Sequence, residues 1–275
     1  MADVVVDMHT HTTCSDGVLS PEALVEKAAS RGLELLAITD HDTIDGIVPA
    51  MAAAKETGVT IMPGVELSIR FLGRELHLLG YDFDINNPEL NAFLAHHQAQ
   101  RTERAREMVR KLNGLGVDLA FEEVQAVAEG PAIGRPHVAQ LLVSKRYVDT
   151  SEQAFIKYLR NGGPADVPKD LPGAEEAIAV LHKAGGIAVL AHPGHWVSDK
   201  DLERLQALGL DGVEVVHPSH DEMLRTFYID VAHRLSLLTT GGSDFHGIRS
   251  NDEKNFGTIG FTDKQYQAFQ SRRAA

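Results

Sequence analysis

The chain predicts an α/β barrel interrupted by a helical insertion, and three observations carry that expectation. Seven apolar, β-rich runs recur: "VVVDM", "LLAIT", "VTIMPGVEL", "ELHLLGYDF", "GIAVLA", "GVEVV" and "LSLLTT". Helical stretches alternate with several of them, the pattern of parallel strands joined by crossover helices. Chemistry-bearing residues gather where the runs end, as they do at one mouth of a β/α barrel. At 275 residues the length suits one domain carrying an insertion.

The elements follow in order. After the first run, Ser20 supplies an N-cap, Pro21 occupies the first helical position, Glu22 follows it, and Gly32 lies past the end of the helix. The same rhythm of helix, glycine and strand recurs through residues 47–58, 174–185, 199–209 and 219–235. Residues 88–165 break it: "PELNAFLAHHQAQRTERAREMVRKLNGLG" is long and helical, and so are the segments after it. The barrel is therefore expected in residues 1–87 and 166–275, with 88–165 as a helical cap subdomain. "RNGGPADVPKDLPG", rich in Gly and Pro, reads as the return linker, and the terminal "SRRAA" as a frayed end.

Composition narrows the function classes. Lys and Arg number 26 against 39 Asp and Glu, a formal charge of −13, which argues against sequence-independent attraction to duplex DNA. Acidic groups gathered around cations remain compatible with a phosphate-bearing substrate. No apolar run has membrane-spanning length, and no secretory signal is visible. A single cysteine, Cys14, excludes an intramolecular disulfide framework, so a reducing cytoplasm is expected.

Fourteen histidines are the better clue, and seven of them (His9, His11, His41, His77, His192, His217 and His246) lie in or just after strand-like segments. In "DMHTHTTCSDG", His9 and His11 share one side of an extended strand because side chains alternate with period two. Such a pair alone fits hydrogen-bonded histidines as well as a metal site. The other strand ends change the balance: Asp40, His41 and Asp42 follow "LLAIT", Glu66 follows "MPGV", His192 follows "GIAVLA", and Asp244 and His246 follow "LLTTGGS". Read separately, His77 inside "ELHLLGY" is a core histidine and Glu66 an ordinary acid; read together they are ligands converging on one mouth.

The motifs "DMHTHTTCSDG", "AITDHDT", "GVEL", "AHP" and "GSDFHG" resemble the polymerase and histidinol phosphatase (PHP) superfamily of metal-dependent phosphoesterases. "TDHDTIDG" and "GRPHVAQLLV" are similar to the subgroup that removes the 3′-phosphate of nucleoside 3′,5′-bisphosphates, with relatives that trim short RNAs from the 5′ end. The resemblance implies a distorted (β/α)7 barrel holding two to three divalent metals. It implies that His9, His11, Glu66 and Asp244 hold one ion, that Glu66, His77 and His192 hold a second, and that Asp16, His41 and His246 complete a third. Many relatives carry histidine at the position of Asp16. Manganese is the ion implied; the nitrogen and oxygen donors also suit iron and zinc. Asp40 and Asp42 are candidates for orienting the ligating histidines, and Cys14 for a packing residue.

Two cations bridged by a carboxylate can produce hydroxide near neutral pH and neutralise phosphoryl oxygens during in-line attack. Glu66, His192 and Asp244 are therefore the residues expected to be essential for turnover. Arg135 in "GRPH" suits a bidentate phosphate contact and Lys169 in "VPK" a point charge; the competing readings are a surface salt bridge and a solvated linker charge. His137, and His217 and His220 in "HPSH", are candidates for substrate contact or proton transfer, or for packing. The mixed-charge "RTERAREMVRK" reads as a solvating or packing helix. The expected activity is phosphomonoester hydrolysis of nucleoside 3′,5′-bisphosphates by metal-bound hydroxide. Alternatives are 5′-3′ exoribonuclease action on short RNA, histidinol-phosphate phosphatase, and a non-catalytic metal-binding regulatory domain.

Overall fold

Every one of the seven apolar runs forms a strand in the computed structural model, which describes residues 4–128 and 130–273. In chain order the elements are β1 (Val6–Asp7), α1 (Pro21–Ser30), β2 (Leu35–Ile38), α2 (Ile47–Thr57), β3 (Thr60–Phe71) and β4 (Arg74–Tyr81). The helical segment follows as α3 (Pro88–Gly114), α4 (Phe121–Ala128), α5 (Arg135–Ser144), α6 (Ser151–Ala154) and a π-helical turn, Phe155–Leu159. The chain then returns through α7 (Ala174–Lys183), β5 (Ile187–Leu190), α8 (Asp199–Ala207), β6 (Gly212–Val216), α9 (Glu222–Arg234) and β7 (Leu238–Gly241). It ends in α10 (Asp252–Asn255) and α11 (Asp263–Arg273).

The strands lie side by side in chain order. The N–H of Met8 donates to Gly241 O at 3.2 Å, and Thr10 bridges Phe245 in parallel, so the first and last strands meet. Four neighbouring pairs are parallel, but β4 runs antiparallel to both β3 and β5, which corrects the expectation of parallel strands throughout. The cause is a two-residue turn: Leu72 (φ 49°) and Gly73 (φ 77°) both adopt the left-handed region that a tight hairpin requires. The reversal matters for the site. It turns the start of β4 toward the mouth and pairs His77 with Ser68, one face-step beyond Glu66. Glu66 is accordingly inside β3, not at its end, and β3 continues past it to Phe71.

Ser20 caps α1 as expected, its Oγ accepting from Ala23 N at 3.2 Å. The main core joins barrel and outer helices through residues such as Leu36, Val65, Leu78, Leu181 and Val213. A second apolar cluster lies between Ala105 and Ala165, built on Met108, Leu112, Val124, Leu142 and Leu159. Helix α3 spans both: Leu90 and Leu94 belong to the barrel core, Ala105 onward to the second. At the C-terminus, Ser271–Arg273 are the last turn of α11 and not a frayed end; Ala274 and Ala275 lie outside the described residues. Among the described residues no helix is long and apolar enough to cross a membrane.

Candidate metal centre

Glu66 is the hub of the mouth. It is 1% exposed, and five histidines delivered by four strands or their ends reach it. Oε2 lies 3.2 Å from His9 Nε2, 3.1 Å from His11 Nε2 and 3.2 Å from His41 Nδ1. Oε1 lies 2.8 Å from His77 Nδ1 and 2.9 Å from His192 Nε2. Asp244 Oδ1 closes the first group, 3.4 Å from His9 Nε2 and 3.3 Å from His11 Nε2. Asp16 Oδ1 stands 3.3 Å from His246 Nε2 and 3.9 Å from His11 Nδ1.

These donors fall into overlapping sets whose ligand atoms lie within 4.8 Å of one another: His9, His11, Glu66 and Asp244; His41, Glu66 and His77; and His11, Asp16, His41 and His246. His192 reaches the same Glu66 oxygen as His77. The fit to cations is testable within the fold. Both ring nitrogens of His11, Nδ1 of His41, Nε2 of His217 and Oδ1 of Asp16 are buried without a hydrogen-bond partner. Buried polar atoms left unpaired each cost about 1–3 kcal/mol, and so many facing one space call for a shared partner. An all nitrogen and oxygen donor set suits divalent manganese, iron or zinc.

Electrostatics say the same. Burial opposes charge on His11, yet Asp244 and Glu66 lift its pKa to about 10; Glu66 and Glu75 likewise lift His77 to about 9 against burial. His41, with burial dominant, falls to about 3. Without a cation, protons therefore balance the carboxylates, and a cation must displace them. Metal uptake is expected to release protons and to tighten as pH rises toward 9–10. Calorimetry in buffers of different ionisation enthalpy checks this, and a pH-independent affinity contradicts it.

Two site residues hold left-handed backbone, His192 (φ 25°) and Asp244 (φ 50°). Such conformations are costly for a non-glycine residue and persist where surroundings fix them. At His192 that fixing comes from Glu214, which was not foreseen. Fully buried in β6, it accepts from His192 N at 2.7 Å through Oε2 and holds His9 Nδ1 at 3.0 Å through Oε1. Its signal was present in "GVEVV", a lone acid in an apolar strand. Glu214→Gln is expected to weaken metal affinity by roughly 10–100-fold while the protein stays folded, as dialysis against a metal indicator would measure.

Asp40 and Asp42 do not orient histidines, contrary to expectation. Asp40 accepts from Thr12 N (2.7 Å), Thr12 Oγ1 (2.6 Å) and Ser15 Oγ (2.5 Å), fixing the loop between His11 and Asp16. Asp42 accepts from Arg101 Nε at 2.6 Å and from Ser68 N at 3.0 Å. Cys14 is half-buried, and burial pushes its thiol up to about 11, so it is not a reactive thiolate.

A cavity of about 190 Å³ joins this cup to a cluster of cations. Asp16, His41 and His77 line one part of it, Arg101, Arg104, Arg135 and Lys169 another. The cations crowd one another: burial, Arg135 and Arg101 bring Arg104 down to about 10, and burial with Arg101 lowers Lys169 although Glu75 opposes it. Arg101 and Arg104 come from "RTERAREMVRK", which corrects its reading as a solvating helix. A larger cavity of about 570 Å³ adjoins it across Asp16, Pro136 and Phe155, with Val18, Val127, His137, Ile248 and Arg249 in its lining.

The remaining candidates divide. His217 is beside the cup, Nε2 3.4 Å from Asp244 Oδ2, while its Nδ1 accepts from Ser219 N at 3.0 Å. Arg249, also unforeseen, donates to Asp244 Oδ2 at 2.7 Å. His137 is turned to structure: its Nδ1 accepts from Gly134 N at 3.0 Å and caps α5. His220 is not free for substrate, because Nδ1 donates to Val215 O (2.9 Å) and Nε2 accepts from Gly194 N (3.1 Å).

Comparison with known proteins places this geometry among relatives. The family model described as PHP domain matches residues 7–160. A 5′-3′ exoribonuclease of Haemophilus influenzae is 39% identical over 87% of this chain and 89% of its own length. A 3′,5′-nucleoside bisphosphate phosphatase of Chromobacterium violaceum is 37% identical over 88% of this chain and 87% of its own. A solved structure from Bifidobacterium adolescentis, assigned as a metal-dependent phosphoesterase, superposes with a TM-score of 0.89 at 32% identity, covering 97% of this chain and 96% of that one.

Proposed function

The chain belongs to the PHP family of metal-dependent phosphoester hydrolases, and from that premise we propose that it removes the 3′-phosphate of nucleoside 3′,5′-bisphosphates, giving the nucleoside 5′-monophosphate and phosphate. The observation that carries the reading is the single cavity shared by the carboxylate and histidine cup and by Arg101, Arg104, Arg135 and Lys169. A substrate with two phosphates meets both halves: one at the cup, one at the cations.

Cations held by His9, His11, Glu66 and Asp244, by Glu66, His77 and His192, and by Asp16, His41 and His246 would supply Lewis acidity and water activation, with manganese the ion proposed. Glu66 positions two of these groups at once. Arg135 offers a planar fork to the 5′-phosphate, and Lys169, now paired with Glu75, adds a point charge. His217 keeps a lone pair on Nδ1 toward Ser219 N, so its Nε2–H, beside Asp244, can donate a hydrogen bond to a phosphoryl oxygen at the cup. The residues of 88–165 act as the cap: Val127 and Phe155, with Val18 and Ile248 opposite, give the larger cavity an apolar lining for a nucleoside. The one cysteine suits a reducing cytoplasm.

A second reading, 5′-3′ exoribonuclease action on short RNA, draws on the openness of one side of the cup, where His192 is 26% exposed while His9 and His11 are sealed. Histidinol phosphate suits the site poorly, since its ammonium would face the arginines. Turnover of adenosine 3′,5′-bisphosphate beside a 5′-phosphorylated short RNA, with manganese present, tests the proposal. Faster bisphosphate hydrolysis supports it; hydrolysis of neither defeats it.

A further inference from the structure

The loop after β5 presents a feature that bisphosphate hydrolysis does not use. Trp196, the chain's one tryptophan, is 77% exposed, four residues after His192. Its backbone is nevertheless tied down from several directions. Gly194 N donates to His220 Nε2 at 3.1 Å, Tyr228 OH donates to Gly194 O at 2.6 Å and to Val197 O at 3.1 Å, and Arg74 Nη1 donates to Trp196 O at 2.5 Å. A buried histidine, a buried tyrosine and an arginine thus hold a loop whose large aromatic ring is left in solvent. An exposed apolar residue alone means little; a rigid mount beside a candidate ligand is a different matter.

Position supplies the occupant. The two cavities that touch the cup are lined by residues of 101–169, by the β1 to β4 side and by the loop after β7; the loops after β5 and β6 contribute to neither. His192, on that open side, is among the most exposed of the candidate ligands. In a bisphosphate and in an RNA strand the bond broken is the same. The oxygen of water joins phosphorus, the P–O3′ bond breaks, and the 3′-oxygen leaves with a proton. The only difference is that in the strand the phosphate stays esterified to the 5′-oxygen of the next nucleoside. That nucleoside extends from the reacting phosphate, and the open side is where a chain can continue.

We propose that Trp196 is a stacking platform for the nucleotide on the 3′ side of the scissile phosphate when the substrate is a short 5′-phosphorylated single strand. The inference rests on the phosphoesterase reading above. It assigns His220 and Tyr228 as positioning residues for the loop.

The test compares wild type, Trp196→Ala and Trp196→Phe on adenosine 3′,5′-bisphosphate and on a 5′-phosphorylated trinucleotide, with manganese present. Stacking on an aromatic ring predicts a loss of about 5- to 150-fold in kcat/KM on the trinucleotide for W196A, carried mainly by KM. Bisphosphate turnover stays within about twofold, and W196F recovers most of the loss. Stopped-flow mixing with the trinucleotide quenches the single tryptophan before turnover; the bisphosphate does not. Equal losses on both substrates, no loss on the trinucleotide, or a wild type that spares the trinucleotide overturns the platform alone. A wild type that hydrolyses neither substrate overturns the phosphoesterase reading, and the platform with it.

Discussion

Replacing Glu66 by glutamine is expected to abolish phosphate release while leaving the barrel folded. The side chain is buried, and both its oxygens are surrounded by imidazoles: His9, His11 and His41 at Oε2, His77 and His192 at Oε1. Glutamine keeps the shape but removes the charge that draws both cations and protons to the cup. Loss of an outer hydrogen-bonding partner costs a metal site about 10–100-fold, so loss of a shared inner carboxylate is expected to exceed about 100-fold in kcat/KM. Circular dichroism and metal content, measured beside turnover, separate the outcomes. A folded variant that binds metal and retains a tenth of wild-type activity contradicts the assignment.

The second large effect belongs to Arg135. Its guanidinium now donates to Leu159 O at 3.2 Å and to Asn161 Oδ1 at 2.7 Å, beside the ring of Phe155, which aims it across the mouth of the cationic cavity. Hydrogen bonds to charged groups are worth about 1.5–3 kcal/mol, so Arg135→Ala is expected to lower kcat/KM for a 3′,5′-bisphosphate by about 10- to 150-fold. The matching 3′-monophosphate, which has no 5′-phosphate to lose, keeps its wild-type rate. Arg135→Lys restores only part, because an ammonium cannot form the two parallel bonds of the fork. Equal losses on both substrates would mean that Arg135 supports the cap and not the phosphate.

How far the sequence led depends on whether a residue acts near its own strand end. The strands and crossover helices were legible because apolar runs and caps are local signals. The hairpin after β3 was not: "FLGR" contains the glycine, but the left-handed conformation shared by Leu72 and Gly73 is what reverses the strand. His9, His11 and Asp244 announce themselves as polar groups following apolar runs. Glu214 did not, since an acid inside "GVEVV" gains its meaning only from His9 and His192, supplied by other strands. Arg101 and Arg104 were hidden by a mixed-charge pattern that fits any solvated helix, and only the fold turns them toward the cup. His220 was over-read: it stands two residues after Pro218, in histidine-rich company, but both its nitrogens serve the backbone.

The central claim is that one cavity recognises two phosphates, hydrolysing one at the cup and holding the other at the arginines. The ratio of kcat/KM for adenosine 3′,5′-bisphosphate to that for adenosine 3′-monophosphate, measured on manganese-loaded protein, tests it most directly. The account predicts a ratio above about 10, the effect of a single charged hydrogen-bond set. A ratio near one would contradict it.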